Sequence, residues 1–513
     1  MTDLNSPNSM TPKPGSGPGP KSSPEPGLAG RVAHGAAWIM GSGIAARVLG
    51  AVNTIVVARL LVPNDIGLVA VATLAMQMLQ GFSDVGVSQA VVRFRDAGRD
   101  DLNTLFTLSL VRGLIVGLAL ALLAPMMAAF YGDPRMQSVF LVVAAAPVIT
   151  GLVNPRFFEF ERELRFSQQF LMTIATKLSS VMVSVSIAFA FRSYWAIILG
   201  MITGAGVQLF LSYALRPFAP RLSFKSIRKV FGFSGWLTAV SFVAALNNKL
   251  DTPILARLVG TGGAGIFFMG GQLSDMVAEQ LASPLSKAVY PGLSSLQGET
   301  DRMRHAFLRS VAALGVIAMP AAFGFAFVAQ DATTLVLGEK WLGVAPVIKI
   351  LAPVVGLQTL FYAAQYYAMA LGLTRLVFVR ETVFFLVRFP VFVWAAMTHG
   401  IQGAVWASAG AGLIHVGLNL ALYAKASGAA FWEPLWSARR SLGAIAVMAL
   451  WFLWLRPHAD GIEALSLPVR LLADIVLGAA IYAIALASLW ISEGRPDGVE
   501  RQIWRMARAL IKR

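Results

Sequence analysis

The chain has 513 residues, of which 57% are hydrophobic and only 13% charged. A soluble domain carries about 25% charged residues, so this composition excludes an ordinary globular protein and points to lipid as the solvent. The formal net charge of +16 does not indicate nucleic acid, because the basic residues sit in short loops between apolar stretches; the absence of cysteine excludes disulfides, a thiolate metal site and a cysteine nucleophile.

Residues 1–30 are rich in Pro, Gly and Ser and read as a disordered cytoplasmic tail, with no cleavable signal peptide. A bilayer span needs about 20 largely apolar residues. Roughly fourteen segments qualify: 34–58, 66–92, 104–130, 136–155, 168–191, 194–215, 233–258, 264–290, 306–329, 344–371, 375–397, 402–424, 441–456 and 470–491. Every second loop is basic, among them the loops holding Arg93, Arg95 and Arg99, then Arg156, Arg162 and Arg165, then Arg216, Arg221, Lys225, Arg228 and Lys229. The positive-inside rule places these loops and both termini in the cytoplasm. Residues 31–215 form an N-lobe of six helices, 216–232 an interlobe linker and 233–425 a C-lobe of six helices. Residues 426–495 add two more helices. The 496–513 stretch sets Ile503, Trp504 and Leu510 against Arg501, Arg505 and Arg508, as an amphipathic helix on the inner leaflet would.

The first and seventh helices begin a duplication. Residues 38–91 and 236–289 correspond at an offset of 198, as from Trp38 to Trp236, and the copies read Asn53-Thr-Ile-Val-Val-Ala-Arg-Leu-Leu61 and Asp251-Thr-Pro-Ile-Leu-Ala-Arg-Leu-Val259. An even number of helices separates the copies, so they run parallel and are related by an axis along the membrane normal. The expected fold is an all-α integral membrane protein with about 14 transmembrane helices: two parallel six-helix bundles related by a pseudo-two-fold, plus two extra helices.

The run Ala58-Arg-Leu-Leu-Val-Pro-Asn-Asp-Ile-Gly-Leu68, followed by Phe82-Ser-Asp-Val-Gly-Val-Ser-Gln-Ala-Val-Val-Arg93, resembles the signature of Wzx-like polysaccharide transporters, oligosaccharide-lipid flippases of the multidrug/oligosaccharidyl-lipid/polysaccharide exporter superfamily. Glu161-Arg-Glu-Leu-Arg-Phe166 and Ala370-Leu-Gly-Leu-Thr-Arg375 are similar to family patterns. The resemblance covers about residues 31–425. It implies a V-shaped pair of bundles in the bacterial inner membrane, opening alternately to cytoplasm and periplasm. It also implies an undecaprenyl-pyrophosphate-linked glycan as cargo, carried with its prenyl tail in lipid. Polysaccharide polymerase and chain-length or export proteins are the expected partners of what reads as a monomer.

Ionisable side chains near a helix centre cost roughly 2.5–3.5 kcal/mol on insertion scales and so tend to face a cavity or a partner. The basic ones are Arg47, Arg112, Lys177, Lys249 and Arg388. They are read as a cationic cavity that replaces the water of a pyrophosphate. The acids Asp84, Asp251, Asp275 and Glu279 are read as candidates for coupling to H+ or Na+. One charge crossing the field is worth about 2.3 kcal/mol per 100 mV. Gln358, Tyr362, Gln365 and Tyr366 share one helix face and suit sugar contacts or interhelical packing. His415 and Asn419 share a face, with His415 read as a hydrogen-bonded core residue. The duplicated Arg59 and Arg257 read as structural caps at outer helix ends. No metal site or catalytic residue is expected.

The expected function is a flippase for a precursor of exopolysaccharide, capsule or lipopolysaccharide. Within the superfamily the rivals are a lipid II flippase, which also needs a cationic cavity, and a cation-coupled multidrug antiporter, which would favour an acidic one. From another class, a membrane glycan polymerase or glycosyltransferase would need a long outer loop or a cytosolic sugar-nucleotide domain. The sequence holds neither.

Overall fold

The computed structural model describes residues 28–82, 98–163, 165–227, 243, 245–496, 498–501 and 505. The N-terminal tail through residue 27, Asp84, the end of the linker and most of the expected C-terminal amphipathic helix lie outside them. Among the described residues there is no strand. The first half comprises α1 (Leu28–Leu60), α2 (Pro63–Phe82), α3 (Arg99–Tyr131), α4 (Arg135–Val143), α5 (Ala145–Gly151), α6 (Glu159–Arg162), α7 (Phe166–Phe191) and α8 (Trp195–Leu215). The second half comprises α9 (Asp251–Ser294), α10 (Thr300–Phe327), α11 (Ala329–Val336), α12 (Val344–Phe361), α13 (Ala363–Ala370) and α14 (Thr374–Ser427). After it come α15 (Glu433–Ser437), α16 (Arg439–Leu450), α17 (Asp460–Glu463) and α18 (Leu467–Ser492).

Helices are the form such a sequence must take, since hydrocarbon offers no partner for an unpaired backbone N–H or C=O. On α3 the lipid-facing stripe is plain: Ile115, Leu118 and Leu122 are exposed at helical spacing, while Leu105, Leu120 and Ala124 are fully buried. Nine helices among the described residues are long and apolar enough to cross a membrane, or ten if one pair bent by 60° counts as a span. The protein is therefore a multi-pass membrane protein. Two pairs of expected spans are joined without a loop, at Gly260 (φ 84) within α9 and at Gly400 (φ 60) within α14. Each break uses a left-handed conformation open to glycine, so one residue interrupts the helix where a connection of four or five residues was expected.

The duplicated segments meet each other. A Cβ at Gly67 would lie 1.8 Å from the carbonyl oxygen of Thr261, and one at Gly265 would lie 2.1 Å from that of Pro63. Pro63 and Thr261 are themselves equivalent at the 198-residue offset, so the contact is reciprocal. Each copy presses its glycine onto the other's backbone. Around it, Ala58, Leu61, Ala329, Trp341 and Ala345 form a fully buried core shared by both halves.

At the opposite end of the helices the linker is fastened to the first half. The backbone N–H groups of Arg221 and Ser223 donate to Asn103 Oδ1 and Thr107 Oγ1, both at 2.9 Å, which explains why α3 buries these polar side chains. Arg216 holds Glu163 at 2.7 Å, and this hydrogen bond keeps the Glu163 carboxyl below the usual range. The two added helices are tied on by Arg470–Asp331 at 2.6 Å.

Gly67→Ala and Gly265→Ala should each destabilise the protein by about 1–3 kcal/mol, the usual range for overpacking. Thermal unfolding in detergent measures this, with Gly324→Ala, where nothing lies within 4 Å, expected to be neutral. The double variant should cost less than the sum, because the two residues share one contact.

Candidate functional site

The site begins at a seal. Beside the glycine contact, Arg59 donates to the carbonyls of Val336 (2.8 Å) and Leu335, and Lys340 Nζ and Trp341 Nε1 donate back to the carbonyls of Arg59 and Ala58, each at 2.7 Å. Thr261 Oγ1 donates to Asn64 Oδ1 at 3.0 Å, and Tyr131 donates to the carbonyl of Pro253 at 3.1 Å. Arg257 lies over the Phe130 ring, 5.3 Å from its centre. Both duplicated arginines are structural, as expected of helix-end caps. Each reaches into the opposite half of the molecule. Together these bonds close the ends of the two halves that carry the short turns.

Behind the seal lie three adjoining spaces. The first, about 190 Å3, is apolar, between Ala51, Thr54 and Ile55 of α1 and residues such as Leu273, Phe325 and Val336. It shares Ala51, Thr54 and Met276 with a second space of about 630 Å3, which holds Arg47 and Lys177. The Lys177 ammonium lies 3.7 Å from where a Cβ on Gly50 would be, and Gly50 is one turn from Arg47 on the same face. That second space shares Thr73, Phe268, Gln272 and Asp275 with a third, of about 700 Å3.

The third space gathers most of the residues singled out from the sequence: Lys249, Asp251, Asp275, Gln358, Tyr362, Gln365, Tyr366 and Arg388. The helix breaks at Tyr362, between α12 and α13, yet Gln358, Tyr362, Gln365 and Tyr366 still line one wall. Gln77, Asn247, Asn248 and Gln272 add amides to it. Arg388 is not a free cation. It is ion-paired with Asp251 and donates to the Asn247 carbonyl at 2.6 Å, so reading the two as separate groups is corrected to one buried pair. Arg112 lines none of the three spaces; beside it α3 is pressed onto α5 through Gly113 and Gly117. The side chain of Glu279 lies outside the described residues.

One network was missed from the sequence. Buried Arg380 pairs with Glu381, donates to Asn419 Oδ1, and donates to Gln365 Oε1 at 3.2 Å. His415 Nε2 lies 3.7 Å from Glu381 Oε1, and its ring is tilted against Phe384 at 4.8 Å. Asn247 donates to the Glu381 carbonyl at 3.2 Å, joining this network to the Arg388–Asp251 pair. Arg380 and Glu381 lie near the start of α14, next to each other in sequence. The signal was the polar face of His415 and Asn419, which in an apolar helix needs partners of matching chemistry. The spaces therefore differ in balance. The second offers Arg47 and Lys177 against Asp275, whereas in the third two ion pairs neutralise themselves among amides and aromatic rings.

The family described as "Polysaccharide biosynthesis protein" matches residues 56–346. The chain is 26% identical over 313 residues to "Lipopolysaccharide biosynthesis protein WzxC" of Escherichia coli (strain K12), a match covering 60% of this chain and 63% of that relative, which is less than two thirds of its length. It is 20% identical over 435 residues to "Succinoglycan biosynthesis transport protein ExoT" of Rhizobium meliloti (strain 1021), covering 84% and 87% of the two. In fold it is similar to a structure titled "Lipid II flippase MurJ, inward closed conformation", with a TM-score of 0.71 at 12% identity, over 89% of this chain and 100% of that one. An inward-facing MATE family transporter gives 0.59 at 14% identity, over 78% and 95%.

Breaking the seal should be measurable, since the chain has no cysteine of its own. A single Ile66→Cys, at a buried position beside the seal, should resist a membrane-impermeant maleimide. Adding Arg59→Ala should raise its labelling rate roughly tenfold, the effect of about 1.4 kcal/mol on an opening equilibrium.

Proposed function

Because this chain belongs to the polysaccharide biosynthesis protein family, we propose that it flips an undecaprenyl-pyrophosphate-linked oligosaccharide, a precursor of exopolysaccharide, capsule or lipopolysaccharide, by alternating access. The carrying observation is the order of the three spaces, apolar, cationic, then amide and aromatic. That is the order of the parts of a prenyl-pyrophosphate-glycan. The apolar slot takes the start of the tail. Arg47 and Lys177 replace the water of the pyrophosphate. Gln358, Gln365, Tyr362 and Tyr366 hydrogen-bond to and stack on the sugars. Lys249 stands beside them, with no ion pair among the described residues. The protein acts as a transporter and not as an enzyme.

The seal closes the ends carrying the short turns. The basic loops support placing those ends at the periplasm, with both termini in the cytoplasm of the inner membrane. Asp275, at the junction of the cationic and amide spaces, is the acid we assign to coupling by H+ or Na+. The glycan polymerase and chain-length or export proteins are the partners that a flipped precursor requires.

Lys177→Ala and Arg47→Ala should each weaken head-group binding by about 1.5–3 kcal/mol, the worth of a charged hydrogen bond, while membrane abundance stays level. Lipid-linked glycan should then accumulate on the cytoplasmic leaflet. Normal surface glycan in both variants and in the double variant would remove the cationic space from the mechanism.

A further inference from the structure

A further polar cavity, of about 680 Å3, opens on the other side of the second half, where α10, α11 and α12 meet the added helices α16, α17 and α18. It shares no lining residue with the three spaces described above. Phe327, Asp331 and Lys349 face it, whereas Phe325, Ala332 and Ile348 of the same helices face the apolar slot. A molecule in the transport route would have to cross packed helices to enter.

Its charges leave one group over. Arg470 is bound to Asp331 at 2.6 Å, and Arg456 to Asp474 at 3.0 Å, so both arginines are neutralised within the cavity. Lys349 makes no ion pair among the described residues. The third acid, Glu463, touches Arg456 at 3.1 Å but is 58% exposed, at the rim. Apolar walls complete the cavity. A π-helical turn, Trp451–Leu455, brings Phe452 and Leu453 into the lining, and Phe452 stacks on Phe327 at 4.8 Å.

Depth identifies the occupant. Lys349 is five residues along α12 from Val344, and Asp474 seven along α18 from Leu467. At 1.5 Å per residue these lie about 7–10 Å below the helix ends. The headgroup layer is roughly 5–8 Å thick, so with the helix ends in that layer these charges are within reach of a lipid headgroup. Flanking Leu450 and Trp454 are exposed and apolar, as lipid-facing residues are. We infer that this cavity binds a glycerophospholipid with an amine headgroup from the surrounding leaflet. Its phosphodiester sits on Lys349, its ammonium on Glu463 and an acyl chain against Phe327 and Phe452. A phosphodiester carries one negative charge, matching the one uncompensated lysine, whereas a pyrophosphate carries more.

Native mass spectrometry of the full chain in detergent, titrated with phosphatidylethanolamine and with diacylglycerol of the same chains, tests this directly. Phosphatidylethanolamine should bind roughly tenfold more tightly, the scale of one charge-assisted contact. Lys349→Gln should erase that difference, and Lys349→Arg should keep it. Glu463→Gln should lower the preference for phosphatidylethanolamine over phosphatidylglycerol. Unchanged lipid retention in Lys349→Gln would overturn the assignment, as would displacement of the phospholipid by undecaprenyl phosphate at lower concentration. Lys349→Gln leaves Arg47 and Lys177 intact, so a defect in glycan flipping and a loss of this lipid are separately readable.

Discussion

Where Gly67 and Gly265 meet, two backbones approach more closely than any side chain would allow, and the other features of the seal are arranged around that contact. Small residues do this work in membranes because lipid tails are as apolar as a leucine side chain, so helices gain little by hiding Leu from lipid. They gain instead from close packing and from polar bonds that have no competitor in hydrocarbon. The glycine pair provides the first, and the Arg59, Lys340 and Trp341 bonds to facing carbonyls provide the second. Because the contact is reciprocal, no side chain separates the two halves there, and the seal is tight.

Charge is distributed unevenly behind it. The second half encloses Arg388–Asp251 and Arg380–Glu381, pairs whose desolvation is offset only by each other and by amide partners. Such pairs fix helix geometry more than they attract ligands. The first half contributes Arg47 and Lys177. The spaces behind the seal thus set a wall neutralised apart from Lys249 beside one that carries cations.

Much of this was legible in the sequence, and the exceptions have common causes. The all-helical membrane character followed from apolar length, and the repeat with its copied Arg59/Arg257 and Gly67/Gly265 marked residues of the scaffold at helix ends and turns. That those glycines touch each other could not be read, because an offset gives equivalence and not proximity. Eight of the chosen site residues share one space, yet Arg388 proved to be paired with Asp251: a helix-centre charge announces that it needs a partner without saying which. Arg380 and Glu381 escaped notice because adjacent opposite charges look self-sufficient in a sequence. Only the fold brings Gln365, His415 and Asn419 around them. The breaks at Gly260 and Gly400 fall where the sequence separates spans, at 258/264 and 397/402, but one glycine stands where a connection of four or five residues was read.

Those breaks have a consequence for how the molecule can be recognised. A break of one glycine leaves no loop between the flanking helices at either place. A binder raised against linear segments would find nothing to hold there. An antibody or toxin aimed at that face would have to recognise the tips of folded helices, and its epitope would change whenever the seal opened. Conformation-selective binders should therefore be easier to obtain against this surface than conformation-blind ones.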